Sequence, residues 1–310
     1  MRGAIPWQVD QIMRTLDRRG QSRHVAKGAA RLEGALKSHD IGKKTGIHST
    51  RTLNSYKTTV LNFCRFQKEK YGIKDLTKTS PDAVKAFFSE RMLHSKHSTI
   101  KTELSAIEKF ATALRSLSPS VAWDIKKAIE DVRIDLRKMD RSQDVSRALE
   151  NPLAIISELQ DLNYRLIALI QYEAGFRISE ATWIKEHQLM GIKQDPYTGK
   201  IKGCIEVCGK GGKLYSSSVS QKTYTELQNL IVSSAKHELK VDEYDYSMSV
   251  KFAAEISEVN YYGTHDFRHT HAQERFAELQ QHGYSREDAL HIVSHEMGHQ
   301  RPDITERYLK

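Results

Sequence analysis

Four successive stretches between Ser49 and Leu136 repeat apolar residues at the three- and four-residue spacing of a helix, and this limits the fold more than any other feature. Leu53, Tyr56, Val60 and Phe63 form the first stripe, which reaches Gln67 in the same phase and ends near Tyr71. Ser80-Pro81 supplies an N-cap followed by proline at the first helical position, leading into Ala83, Val84, Phe87 and Phe88. Ile100, Leu104, Ile107, Phe110, Leu114 and Leu117 make a third stripe, and Val121, Ile125, Ile129, Val132 and Leu136 a fourth. Each apolar face needs a partner, so residues 49–137 are expected to form a small helical bundle. Upstream, residues 1–48 read as a helical extension. One short amphipathic helix carries Trp7, Ile12, Met13 and Leu16, the other Val25, Ala29, Leu32 and Leu36, and a basic glycine-flanked stretch, Gly42–Gly46, follows.

The apolar period fails over residues 138–152, where Asp140-Arg141-Ser142-Gln143-Asp144 is polar, and a linker is expected there. Residues 153–310 then form a second domain. It opens with an apolar helix around Leu162–Tyr172 that breaks at Gly175 and resumes near Ile178. Two β-prone runs, Cys204–Cys208 and Leu214–Val219, flank Gly209-Lys210-Gly211-Gly212 as a hairpin would. Helices follow near 222–239 and 264–281. Ser285 with Asp288 caps one more, which Gly298 stops. The expected fold is mainly α with a small β-sheet or hairpin: an amino-terminal helical bundle and an α+β second domain.

Charge is divided unevenly. Residues 1–150 hold 30 Lys+Arg against 17 Asp+Glu, whereas residues 151–310 hold 18 against 22. A basic half suits phosphate backbones, since each cation at a phosphate releases condensed counterions, and nucleic acid is the leading partner; solvated helical faces are the plain alternative. No apolar run approaches the ~18 residues of a membrane span. Arg2 and the charged segment after Trp7 do not support a secretory signal, so a cytoplasmic, DNA-associated protein is expected. Cys64, Cys204 and Cys208 are too few for a disulfide framework or a zinc ribbon.

Five segments of the second domain carry chemistry. Arg177 stands at the break between two apolar helices with Glu180 three residues on to pair with it. Lys210 lies in the glycine hairpin, where a ligand can approach closely, although a P-loop is not formed. His265 and Arg268 share one face at a helix start, His299 follows a helix end, and Tyr308 lies on a last short helix. Taken singly each is ordinary. Together they offer positive forks for phosphate oxygens, proton donors and a nucleophile, as phosphoryl transfer requires.

In order and spacing, Gly175-x-Arg177-x-Ser179-Glu180, Gly209-Lys210-Gly211, His265-x-x-Arg268-His269, Gly298-His299 and Tyr308 nine residues later resemble the tyrosine recombinases, or phage-type integrases. The resemblance covers the catalytic half and, by helical pattern alone, residues 49–137. It implies a site-specific DNA recombinase that breaks and rejoins strands through a 3′-phosphotyrosyl intermediate. Tyr308 would be the nucleophile, Arg177 and Arg268 the clamp on the non-bridging oxygens, and Lys210 the acid for the leaving 5′-oxygen. His265 would assist proton removal, His299 would bind the phosphate, and Glu180 would orient Arg177. No metal or cofactor is implied. Partners would be double-stranded recombination sites, further copies of the chain in a tetrameric synapse on DNA, and an accessory DNA-bending factor. Residues 1–48 would either bind accessory DNA or pack as extra helices. Only Leu309 and Lys310 follow Tyr308, where the family commonly continues into a helix that docks on a neighbouring protomer.

Three rival readings differ in class. His295-Glu296-x-x-His299 satisfies a metalloprotease motif, but Gly298 and Pro302 end the helix that both histidines would need. A type IB topoisomerase-like nicking-closing enzyme would share the catalytic set, and a DNA-binding accessory would lack catalysis.

Overall fold

Serine caps and left-handed glycines set several of the helix ends of this chain. The computed structural model describes residues 1–139, 146–209, 212–299 and 301–309, with the backbone alone for residues 38 and 39. It divides into two units, Met1–Gln143 and Asp144–Lys310.

The first unit is all helical: α1 Ile5–Arg14, α2 Arg23–Leu32, α3 Ser38–Lys44, α4 Thr50–Tyr71, α5 Pro81–His94, α6 His97–Leu114 and α7 Pro119–Lys138. Ser49 caps α4 at the Thr52 amide and Gly72 closes it at φ 68°, while Ser80 caps α5 at the Asp82 amide. The four predicted stripes meet in one core, where Phe63 lies edge-on to Phe87 at 5.5 Å and to Phe110 at 6.5 Å.

The extension behaves differently along its length. Helix α1 buries Val9, Ile12 and Met13 in the core shared by α4–α7, and the Gln8 amide binds the carbonyls of Gly3 and Lys74 and the amide of Leu76. Along α2 the expected face is not buried: Val25, Leu32 and Leu36 are exposed. The helix packs on α3, in a small cluster of Ala30, Ala35 and Ile41. The basic stretch is largely the last turn of α3, and Lys109 of α6 donates to the Gly42 carbonyl at 2.6 Å.

The second unit comprises α8 Pro152–Glu158, α9 Leu162–Ala174, α10 Ile178–Ala181, β1 Trp183–Lys185, β2 Leu189–Gln194, β3 Ile201–Gly209, β4 Lys213–Ser220, α11 Gln221–Ser233, β5 Glu238–Lys240, α12 Glu243–Ile256, α13 His265–Gln281, α14 Arg286–Glu296 and α15 Pro302–Thr305. The predicted hairpin is β3–β4, with Gly209 opposite Lys213 and Val207 opposite Tyr215; β2 adds a third antiparallel strand, and β1 pairs with β5. Ile205, Val207, Tyr215 and Val219 face the same core as Phe176, Tyr224 and Phe267. The helix expected to reach residue 239 stops at Ser233, because residues 238–240 enter the β1–β5 ladder. The fold is mainly α with small antiparallel sheets, as the periodicities predict. Among the described residues no helix is long and apolar enough to cross a membrane.

Candidate active site

Turns of the second unit bring six of the seven predicted residues together. Helix α9 ends at Gly175, whose φ of 65° and closeness to the His271 ring (an added Cβ would stand 2.5 Å from it) admit no side chain. The chain then buries Phe176 and presents Arg177 as the N-cap of α10. Glu180 closes back on it, accepting the Arg177 amide at 2.7 Å and Nη1 at 2.8 Å. The same carboxylate accepts the Tyr215 hydroxyl at 2.7 Å. Burial alone would lower the Arg177 pKa, but the Glu180 carboxylate outweighs it and the net shift is upward.

The first turns of α13 present His265, Arg268 and His269. Arg268 is fully buried, held by the carbonyls of Gly175 and Met297 and by His299 Nε2 at 3.0 Å. A guanidinium only donates, so Nε2 of His299 is the acceptor and its Nδ1–H donates to Thr305 Oγ1 at 2.8 Å. His299 reaches this place because Gly298, at φ 64°, turns the chain after α14. A buried Asp266, paired with Arg147 at 2.7 Å, ties the start of α13 down.

Tyr308, in a 3₁₀ turn after α15, lies over this cluster. Its hydroxyl is 3.0 Å from His265 Nε2, and its ring centroid is 4.4 Å from that of His269 and 5.3 Å from that of His299. Gln273 donates to its carbonyl at 2.9 Å. Burial, with Arg268 next, lowers His265 to about 4 and His299 to about 3; burial with Arg147 lowers His269 to about 4. All three imidazoles are therefore neutral at pH 7. Arg177 adds its charge to the fields at both His265 and His299.

Arg177, Glu180, His265, Arg268, His299 and Tyr308 thus belong to one neighbourhood, while Lys210 lies outside the described residues. Sequence reasoning passed over Tyr215, Thr305 and Gln273, and quoted His269 without giving it a task. The inward alternation of β4 was the available signal for Tyr215; Thr305 and Gln273 carry none. The metalloprotease reading fails on geometry. Glu296 is engaged by Arg275 at 2.8 Å, both ring nitrogens of His299 are occupied, and among the described residues no group of three His, Cys, Asp or Glu could hold a metal ion.

Residues 43–116 match the model of the phage integrase N-terminal SAM-like domain. A search of curated protein sequences gives no significant match. Among solved structures the chain is similar to the XerH site-specific recombinase bound to palindromic difH substrate, with 13% identity, TM-score 0.61, and 99% of this chain and 91% of that one covered. The pre-cleavage XerH complex with difH gives 14%, 0.59, 98% and 91%. A lambda integrase dimer bound to a COC′ core site gives 13%, 0.58, 100% and 81%. Residues 43–116 thus match the phage integrase N-terminal SAM-like domain, and the chain shares the fold of the XerH recombinase and lambda integrase structures.

Proposed function

We propose that this chain is a site-specific DNA recombinase that cuts and rejoins strands through a phosphotyrosyl link at Tyr308. The observation that carries the reading is the Tyr308 hydroxyl on neutral His265, 3.0 Å away, beside the buried Arg268. In the cleavage step the Tyr308 oxygen attacks phosphorus and passes its proton to His265 Nε2. The bond to the 5′-oxygen breaks, and Lys210 protonates that oxygen. A 3′-phosphotyrosine and a free 5′-hydroxyl result, and the reverse attack by another strand's hydroxyl completes exchange.

His265 is a weak base in the free protein because burial and neighbouring cations hold it near 4. A phosphodiester placed among Arg177 and Arg268 cancels part of that positive field and so strengthens the base when substrate is bound. The charges of Arg177 and the buried Arg268 supply the neutralisation that metals provide in other phosphoryl transferases, so no metal is assigned to the reaction. His299 steadies Arg268, accepting from its Nη2 while its own Nδ1–H donates to Thr305. The basic first unit would hold the duplex, and copies of the chain would assemble on it as a tetrameric synapse. XerH and lambda integrase were captured on DNA, the latter also as a tetramer on a Holliday junction. The SAM-like domain match favours recombination over a nicking-closing enzyme of the type IB class.

The test lets the protein select its own target. Nicked duplexes of randomised sequence are incubated with the chain, and SDS-resistant protein–DNA adducts are recovered and sequenced. The wild type should enrich one sequence family and Tyr308→Phe should yield no adduct. Adducts formed by the Phe variant would place the nucleophile elsewhere.

A further inference from the structure

One buried ring meets four of the five motif segments. Tyr215, 5% exposed on β4, stands edge-on to Phe176 at 5.9 Å, and its hydroxyl donates to Glu180 Oε2 at 2.7 Å. Glycines make room for it at two further motifs. A Cβ on Gly209, the residue before Lys210, would come within 2.9 Å of the Tyr215 ring, and one on Gly298, the residue before His299, within 2.6 Å. The fourth segment is represented by Arg268, whose charge bears on the phenol oxygen.

The hydrogen bonds around Glu180 give this contact a direction. Oε1 of Glu180 takes Arg177 Nη1, while Oε2 takes the Arg177 backbone amide and the Tyr215 hydroxyl. A carboxylate facing a guanidinium prefers to engage it with both oxygens. That rearrangement would turn a second N–H of Arg177 away from any phosphate. With Tyr215 and the backbone amide holding Oε2, Glu180 spends one oxygen on the Arg177 side chain, and among the described residues the guanidinium makes that one hydrogen bond. Burial, followed by the charge of Glu180, raises the Tyr215 pKa against the pull of Arg268, so the hydroxyl stays protonated and stays a donor.

We propose that Tyr215 is a positioning residue for the cleavage site: through Glu180 it sets the edge that Arg177 presents to the scissile phosphate. The inference rests on the recombinase reading above. Tyr215→Phe keeps the ring on which Phe176, Gly209 and Gly298 pack, and removes only the hydroxyl.

The experiment measures single-turnover adduct formation on the nicked duplex that the wild type selects from the randomised pool. Duplex affinity is measured separately in a Tyr308→Phe background. The loss of a hydrogen bond to a charged group predicts a rate about ten- to a hundredfold lower for Y215F, with affinity within about twofold of wild type. In a Glu180→Gln background, Y215F should add little further loss, because both changes act on one arm. A wild-type rate for Y215F overturns the proposal. So does a double variant whose loss is the product of the two single losses, and so does a Y215F chain that is unfolded at the assay temperature, which would make the hydroxyl a structural requirement. If the wild type forms no adduct, the recombinase reading fails, and this inference with it; an active wild type beside an equally active Y215F sinks only the role of Tyr215.

Discussion

Replacing Arg275 by methionine should weaken the second unit strongly at neutral pH and much less in acid. The Arg275 side chain is 6% exposed and pairs with Asp195 at 2.8 Å, Glu278 at 2.6 Å and Glu296 at 2.8 Å, so one buried cation serves three carboxylates. Methionine fills much of the volume but leaves those charges facing one another, with Lys200 and Lys202 the remaining counter-charges on Glu278 and Asp195. Removing one member of a buried ionic network costs about 3–5 kcal/mol, which for a unit of this size lowers its melting temperature by about 6–20 °C.

The pH dependence follows from the carboxylates. Burial would raise both Asp195 and Glu278, but hydrogen bonds from Arg275, Thr198 and Tyr197 at Asp195, and from Lys200 and then Arg275 at Glu278, reverse the sign. Asp195 falls well below its ordinary value and Glu278 falls from 4.5 to about 2. A depressed carboxylate stabilises the fold above its unfolded pKa and loses that contribution as pH falls toward the folded value. The wild type should therefore lose its advantage over Arg275→Met between about pH 4.5 and 2. Calorimetry of the full chain at pH 7 and pH 3 reads both melting temperatures. The argument fails if the variant melts within about 2 °C of wild type at pH 7, or if the gap is as wide at pH 3. Since Glu296 lies three residues before His299, the variant should also slow adduct formation.

Three further outcomes are expected. Histidine resonances should show His265 titrating near 4 in the free chain and moving upward when a phosphodiester dinucleotide occupies the site; titration near 6.5 without ligand would mean that its ring is solvated. Adduct formation should survive EDTA, while Arg268→Ala should lower it by about 10²–10³, as loss of one charged contact in a preorganised site does; chelator-sensitive cleavage would count against the arginine clamp. Ile12→Ala should destabilise the first unit by about 2–5 kcal/mol, because Ile12 is fully buried with Phe63 and Ile107 in one core, whereas a free accessory arm would show no change in a thermal melt.

What could be read from the sequence was the part whose cause is local. Ser49, Ser80 and Ser285 each cap the helix expected to start beside them, and Gly175 and Gly298 stop chains where they must turn left-handed. Where several apolar faces compete, the reading weakened. Helix α12 buries Tyr246, Val250, Ala253 and Ala254 yet also exposes Tyr244, Phe252 and Ile256, so no single stripe announces it. Strand β2 is mostly exposed and has little alternation to find. On α2 the apolar side faces solvent, because amphipathic pattern records a preference for burial and not the presence of a partner. Gln67 shows the converse: a polar residue in phase with the first stripe is fully buried at the end of α4.

The site was readable as a set of residue types in order, but its wiring was not, because each link joins elements distant in sequence. Arg268 reaches across 93 residues to the Gly175 carbonyl and across 31 to His299, and His265 across 43 to Tyr308. The glycines make the same point most sharply. In the sequence Gly209 and Gly298 stand as turn residues before Lys210 and His299, and Gly298 does carry the positive φ of a turn. Both are also required because a side chain at either position would occupy the space of Tyr215. A glycine beside a functional residue can thus be demanded by a third residue elsewhere in the chain. Here that residue is a tyrosine whose strand, Lys-Leu-Tyr-Ser-Ser-Ser-Val-Ser, faces inward at Tyr215, Ser217 and Val219, an alternation that hydroxyls hide from any scale built on apolarity.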